Sequence, residues 1–155
     1  MHIHLIAAGS RMPRWIQEGF KEYAKRLPQE CPLLLKEIPL RKRQRSGNLK
    51  RLVEAEGLAM IAAIPRNALI IALDKDGERW STEALAHHLG HWLQQGQDLA
   101  LLIGGPEGLA PLCLARAAIR WSLSPLTFPH PLVRVIVAEQ LYRAFSLLKG
   151  HPYHR

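Results

Sequence analysis

The sequence predicts an α/β fold on a largely parallel sheet. Short, continuous apolar runs such as Ala68–Asp74 and Leu99–Gly105 have the composition of strands buried on both faces. Segments with apolar residues at helical spacing separate them, so strand and helix alternate along the chain.

The first strand is His2–Gly9, which alternates, becomes apolar and ends on glycine. Pro13–Leu27 reads as a helix. Pro13 suits a first turn, and Trp15, Ile16, Phe20, Tyr23, Ala24 and Leu27 recur at helical spacing. Pro32–Leu40 is a second strand, and Asn48–Ile64 a helix with Asn48 as N-cap. After the strand Ala68–Asp74, the helix Ser81–Gln95 opens on a capping serine, with Glu83 supplying negative charge in its first turn. Ala84 stands where a full capping box wants Glu or Gln. Leu99–Gly105 is a fourth strand, Leu109–Ala118 a short helix and Ile119–Ser124 a fifth strand. Pro131–Lys149 is the last and longest helix. It is apolar around most of its circumference, which requires burial on more than one side. The second surface is either the core of the same chain or another subunit.

A length of 155 residues predicts one domain over 1–155. No apolar run approaches the roughly 20 residues of a membrane span. The N-terminus has neither a basic leader nor a long apolar stretch. Cys31 and Cys113 have no metal or redox spacing, so a reducing, cytoplasmic compartment is expected. Lys and Arg number 21 against 13 Asp and Glu, a net charge of +8. Such a field attracts polyanions, of which nucleic acid is the abundant one. The stretch Leu40–Asn48 carries Arg41, Lys42, Arg43 and Arg45 with no apolar anchor after Leu40. It reads as an exposed, mobile basic loop, serving either as an RNA contact or as a solvated charge run.

Ligands of parallel sheets sit beyond the carboxyl ends of strands. Three turns qualify: Leu73–Gly77, Gly104–Gly108 and Leu123–Phe128. The second spells G-G-P-E-G. Its glycines lack the dinucleotide spacing, and Leu109–Ala110 stand where a Walker loop needs Lys and Ser or Thr. It is either a structural turn or a place where a ligand approaches backbone closely. The stretch Ser122–Arg134, "SLSPLTFPHPLVR", joins stiff prolines, hydroxyls and apolar walls, which suits an adenine read by main-chain hydrogen bonds. His87 and His91 share a helix face, but no His-Glu-x-x-His motif or third ligand accompanies them, so no metal is expected. No Gly-x-Ser-x-Gly motif occurs, and Cys113 lies in an apolar helix where packing explains it. The closing "GHPYHR" is either a frayed tail or part of a basic, stacking patch for a nucleotide.

Taken together, "LLIGGPEG", "WSLSPLTFPHPLVRVIVAEQLYRAFS", the closing "HPYHR", "MPRWIQEGFKEYAKRLP" and "LDKDG" resemble one enzyme family over essentially the full length. These are the small SPOUT methyltransferases that methylate N3 of a pseudouridine in 23S rRNA. The resemblance implies a parallel-sheet SPOUT fold with a C-terminal trefoil knot, a rare exception to unknotted connections. It implies S-adenosylmethionine as cofactor, held by Leu73, Gly104, Leu123, Ser124, Pro125, Leu126, Thr127 and Phe128. It further implies a homodimer packed partly through the last helix. The implied substrate is the assembled ribosome, at a stem-loop of the intersubunit face.

Methyl transfer to an imide nitrogen needs aligned reactants and a fate for the imide proton. His130, Arg134 and His154 are the candidate catalytic residues, a histidine accepting the proton and Arg134 holding a phosphate or base oxygen. Arg41, Lys42, Arg43, Arg45, Tyr153 and Arg155 are the candidate RNA contacts. Two other readings remain: a SPOUT methyltransferase acting on tRNA, and a non-catalytic RNA-binding or ribosome-assembly module.

Overall fold

A computed structural model describes residues 1–43 and 47–155. In chain order the described residues form β1 (Ile3–Ala8), α1 (Arg14–Ala24), β2 (Leu33–Ile38), α2 (Leu49–Ala62), β3 (Leu69–Arg79) and α3 (Thr82–Gln95). They continue with β4 (Leu99–Ile103), α4 (Pro111–Arg116), β5 (Ile119–Ser122), α5 (His130–Leu148) and a closing 3₁₀ turn, Pro152–His154. The strands form one parallel sheet in the order β2-β1-β4-β3-β5.

The alternation of strand side chains builds two core layers. Ile3, Leu5 and Ala7 of β1 and Leu99, Leu101 and Ile103 of β4 pack with Phe20 of α1, Leu89 of α3 and Leu141 of α5. Ile6, Ala8, Ala100 and Leu102 pack oppositely, against Met60 of α2 and Cys113 of α4. Helices thus cover both faces, which is what near-continuous apolar strands demand. Both expected caps form. Asn48 Oδ1 accepts from Arg51 N at 3.3 Å, and Ser81 Oγ from Ala84 N at 3.1 Å. Cys113 is buried in the core, and its Sγ lies 3.5 Å from the Gly57 carbonyl.

The structure departs from the sequence reading at β3. That strand does not end at Asp74 but runs to Arg79, and Leu73 and Glu78 both pair with Trp121 of β5. The expected turn Leu73–Gly77 is therefore an excursion inside a strand. A Cβ at Gly77 would lie 2.6 Å from the Arg120 carbonyl oxygen, so the backbones meet where only glycine fits. The polar run Asp74–Arg79 has little strand propensity of its own. Pairing with β5 supplies the order, a tertiary effect that overrides composition. β5 itself stops at Ser122. The Ser122 hydroxyl donates to the Ser124 carbonyl at 3.1 Å, and Ser124 Oγ accepts from Leu126 N at 3.0 Å, which turns the chain out of the sheet.

Candidate functional site

β4, β3 and β5 are neighbours in the sheet, so their carboxyl ends lie side by side. A cleft of about 740 Å³ opens there, lined by Leu73, Gly104, Leu123, Ser124, Leu126, Thr127, Phe128 and His130 among others. That size suits a small-molecule site. Pro125 is exposed and lies outside the lining. Asp74, Lys75 and Glu107, which the sequence reading did not single out, also line the cleft. The walls are therefore largely apolar, with hydroxyls and charges of both signs between them.

The G-G-P-E-G loop closes on itself. Gly108 N donates to the Gly105 carbonyl at 2.9 Å, and Gly108 takes a left-handed φ of 79°. A Cβ at Gly104 would lie 2.6 Å from Leu109 N. Position 104 is thus glycine for the loop's own closure. A side chain there displaces the loop before it meets any ligand.

His130 begins α5 at the cleft wall. Burial, then the nearby Arg134 charge, lowers its pKa, which keeps the imidazole neutral and able to accept a proton at pH 7. Arg134 has a different place from the one expected. It is 1% exposed, and its guanidinium donates to Glu37 Oε2 at 2.7 Å, the Gly9 carbonyl at 2.8 Å and the Ala8 carbonyl at 3.3 Å. A group so enclosed does not present itself to an RNA phosphate. It pins the start of α5 to the ends of β1 and β2 instead.

The C-terminal residues fold back on α5 rather than fraying. The Tyr153 hydroxyl donates to Glu139 Oε1 at 3.1 Å, and its ring lies 4.5 Å from that of Tyr142. Arg143 also donates to Glu139 and sits over the Tyr153 ring. Burial, then the Glu139 carboxylate, pushes the Tyr153 pKa up to about 12, so the phenol stays a donor. His154 Nδ1 lies 2.6 Å from the His151 carbonyl. Arg143 lies about 20 Å from His130 along the helix. Within one chain, therefore, His130 and His154 are not brought together, and His154 is absent from the cleft lining.

The basic loop is only partly free. Arg41 and Lys42 are exposed. Arg43 is not the solvated cation expected: it bonds Glu56 of α2 and Glu107 of the glycine loop. Arg45 lies outside the described residues. Glu56 is only 7% exposed, and its position between Val53 and Met60 on the inner face of α2 was a readable signal for a paired carboxylate. Among the described residues no group of three His, Cys, Asp or Glu could hold a metal ion, and no helix is long and apolar enough to cross a membrane.

Comparison with known proteins decides the family. A family profile described as "Predicted SPOUT methyltransferase" matches residues 1–154. The chain belongs to the SPOUT methyltransferase family. Two relatives of this SPOUT chain carry the name ribosomal RNA large subunit methyltransferase H. The one from Thioalkalivibrio sulfidiphilus is 60% identical over 100% of this chain and 99% of its own length. The one from Methylococcus capsulatus is 56% identical over 100% of both. A solved probable methylase family protein from Haemophilus influenzae shares the SPOUT chain's fold at a TM-score of 0.59, with 11% identity, over 99% of this chain and 70% of that one.

Proposed function

We propose that the protein transfers a methyl group from S-adenosylmethionine to N3 of a pseudouridine in the intersubunit stem-loop of 23S rRNA, acting on the assembled ribosome as a homodimer. The observation that carries this reading is the convergence of Leu73, Gly104 and the Leu123–Phe128 loop on one cleft. Relatives named as large-subunit ribosomal RNA methyltransferases, matched over the whole chain, support the substrate class. Family membership supports the trefoil knot.

The residues present fit the cofactor. Leu73, Leu123 and Phe128 offer apolar contact to a purine, and Ser124 and Thr127 offer hydroxyls. Asp74 gives negative charge for a sulfonium cation, and Lys75 gives a partner for a carboxylate. When bound, S-adenosylmethionine supplies an electrophilic methyl group. The protein's work is then to align the acceptor nitrogen and to remove its proton. His130, neutral and at the cleft wall, accepts that proton in this reading. His154 lies on the docked tail outside this chain's cleft lining, so within one chain His130 carries the step. Arg41, Lys42 and Arg155, all exposed, hold rRNA phosphates, with Arg45 of the same basic run, whereas the Tyr153 ring is taken up by Tyr142 and Arg143. The target base leaves its stack to expose the Watson–Crick edge.

The dimer part of this reading rests on the family. Trp15 of α1 is 61% exposed and is open to cover by a partner.

Radiolabelled methyl transfer to whole ribosomes, free 23S rRNA and tRNA tests the reading. Label is expected in the ribosome's 23S rRNA, at a pseudouridine. Label confined to tRNA overturns the substrate, and no binding of S-adenosylmethionine overturns the enzyme reading altogether.

A further inference from the structure

The glycine loop forms one wall of the cleft, yet little of it is held by the sheet. Its closing contact is the short bridge between Gly105 and Gly108. What ties it outward comes from the segment after β2. Leu40 packs against Gly105, where an added Cβ would sit 3.1 Å from Leu40 Cδ2. Three residues later, Arg43 reaches the loop directly. Its Nη2 donates to Glu107 Oε2 at 2.6 Å and its Nε to Glu107 Oε1 at 3.3 Å, a two-pronged pairing. The same guanidinium donates to both oxygens of Glu56, and Nη1 also reaches the Arg41 carbonyl at 2.9 Å. Arg41 N donates to Glu56 Oε1 at 3.3 Å.

Glu56 is the fixed end of this chain of contacts, being buried in α2. Glu107 is the other end, on the loop between β4 and α4. The five donors of a planar guanidinium can serve two carboxylates at once, which an ammonium cannot do in the same geometry. An isolated exposed ion pair would mean little. Here one partner is buried, the cation is only 27% exposed, and four hydrogen bonds run to the two carboxylates.

We propose that Arg43 is a positioning residue for the methyl-donor cleft: it ties Glu107, and with it the Gly104–Gly108 wall, to Glu56 of α2. The proposal rests on the methyl-donor reading of the cleft. It gives one member of the basic run a task distinct from its neighbours. Arg41 and Lys42 remain free for a polyanion, whereas the Arg43 charge is already matched by two carboxylates.

Full-length wild type, Arg43→Lys, Glu107→Gln and the double variant are compared. Glu107→Gln leaves the buried Glu56–Arg43 pair in place, so it weakens the tie, which loses its charge and one acceptor oxygen, without leaving a buried carboxylate unpaired. Calorimetry with S-adenosylmethionine should show about tenfold weaker binding for each single variant, and no further loss in the double. Hydrogen exchange at the Gly108 amide should quicken about tenfold in each. A further variant, Arg43→Gln, removes the charge, and the salt dependence of its ribosome binding should match wild type, because two carboxylates already match the Arg43 charge.

Each contrary result has its own meaning. Wild-type protein that binds no S-adenosylmethionine removes the methyl-donor reading and this role with it. Wild-type binding with undiminished variants and unchanged Gly108 exchange removes the tie alone. A loss in Glu107→Gln without one in Arg43→Lys, or additive losses in the double, shows Glu107 touching the cofactor directly and overturns the proposal. A changed salt slope with unchanged cofactor affinity makes Arg43 an RNA contact instead.

Discussion

The two halves of α5 treat charge in opposite ways. At the first end, Arg134 is enclosed and bonded to Glu37 and two backbone carbonyls, and its field helps keep His130 neutral. From the middle of the helix, Glu139 gathers Arg143 and Tyr153 at a half-buried surface and holds the C-terminal turn against the helix. The first arrangement readies a base beside a cleft. The second fixes a tail that would otherwise fray. One helix thus carries an uncharged proton acceptor at its first residue and a half-buried, charge-assisted clasp along its second half.

Removing Arg134 should have the largest effect. Arg134→Ala leaves the Ala8 and Gly9 carbonyls short of a donor and Glu37 unpaired, and should lower unfolding stability by about 3 kcal/mol in urea titration. A loss below about 0.5 kcal/mol would mean the enclosed contacts are idle. Next comes His130→Gln, which should slow methyl transfer by about 100-fold while cofactor affinity stays near wild type. Retained turnover would shift the proton to solvent or the RNA.

The same residue makes a pH prediction. The His130 pKa is lowered on folding, so the folded protein binds fewer protons there than the unfolded chain. Its contribution to stability is whole above about pH 6.5 and is lost as pH falls through that value toward the folded pKa. Wild type should therefore lose more stability than His130→Gln between neutral and mildly acid pH. Parallel denaturation curves for the two across that range would contradict the environment described. The smallest effect belongs to the clasp. Tyr153→Phe removes one hydrogen bond to Glu139 and should speed amide exchange in the closing turn by about fivefold, consistent with roughly 1 kcal/mol, leaving the cleft unaltered.

Much of the cleft was legible before folding was considered. Strand ends after apolar runs, proline-stiffened loops and glycine turns are local signals, and the Leu123–Phe128 loop and Gly104 were found from them. Leu73 was found as well, although its neighbours form a strand excursion and not a turn. The errors share a cause. The local sequence makes Arg43 an RNA contact and Arg134 a catalytic residue holding a phosphate or base oxygen, yet both are matched by carboxylates far away in sequence. Arg43 meets Glu107 at a separation of 64 residues, and Arg134 meets Glu37 at 97. The tail is a milder case, since Glu139 and Tyr153 are 14 residues apart and the docking depends on where α5 ends.

The sequence by itself determined the order of strands and helices, the caps at Asn48 and Ser81, and the loops able to line a ligand site. Periodicity and turn chemistry act over a few residues, so they can be read without knowing the fold. Only the tertiary structure decided which charges are free. An arginine is an RNA contact or an internal tie according to the carboxylates and carbonyls that the sheet order places beside it, and that order is a property of the whole chain.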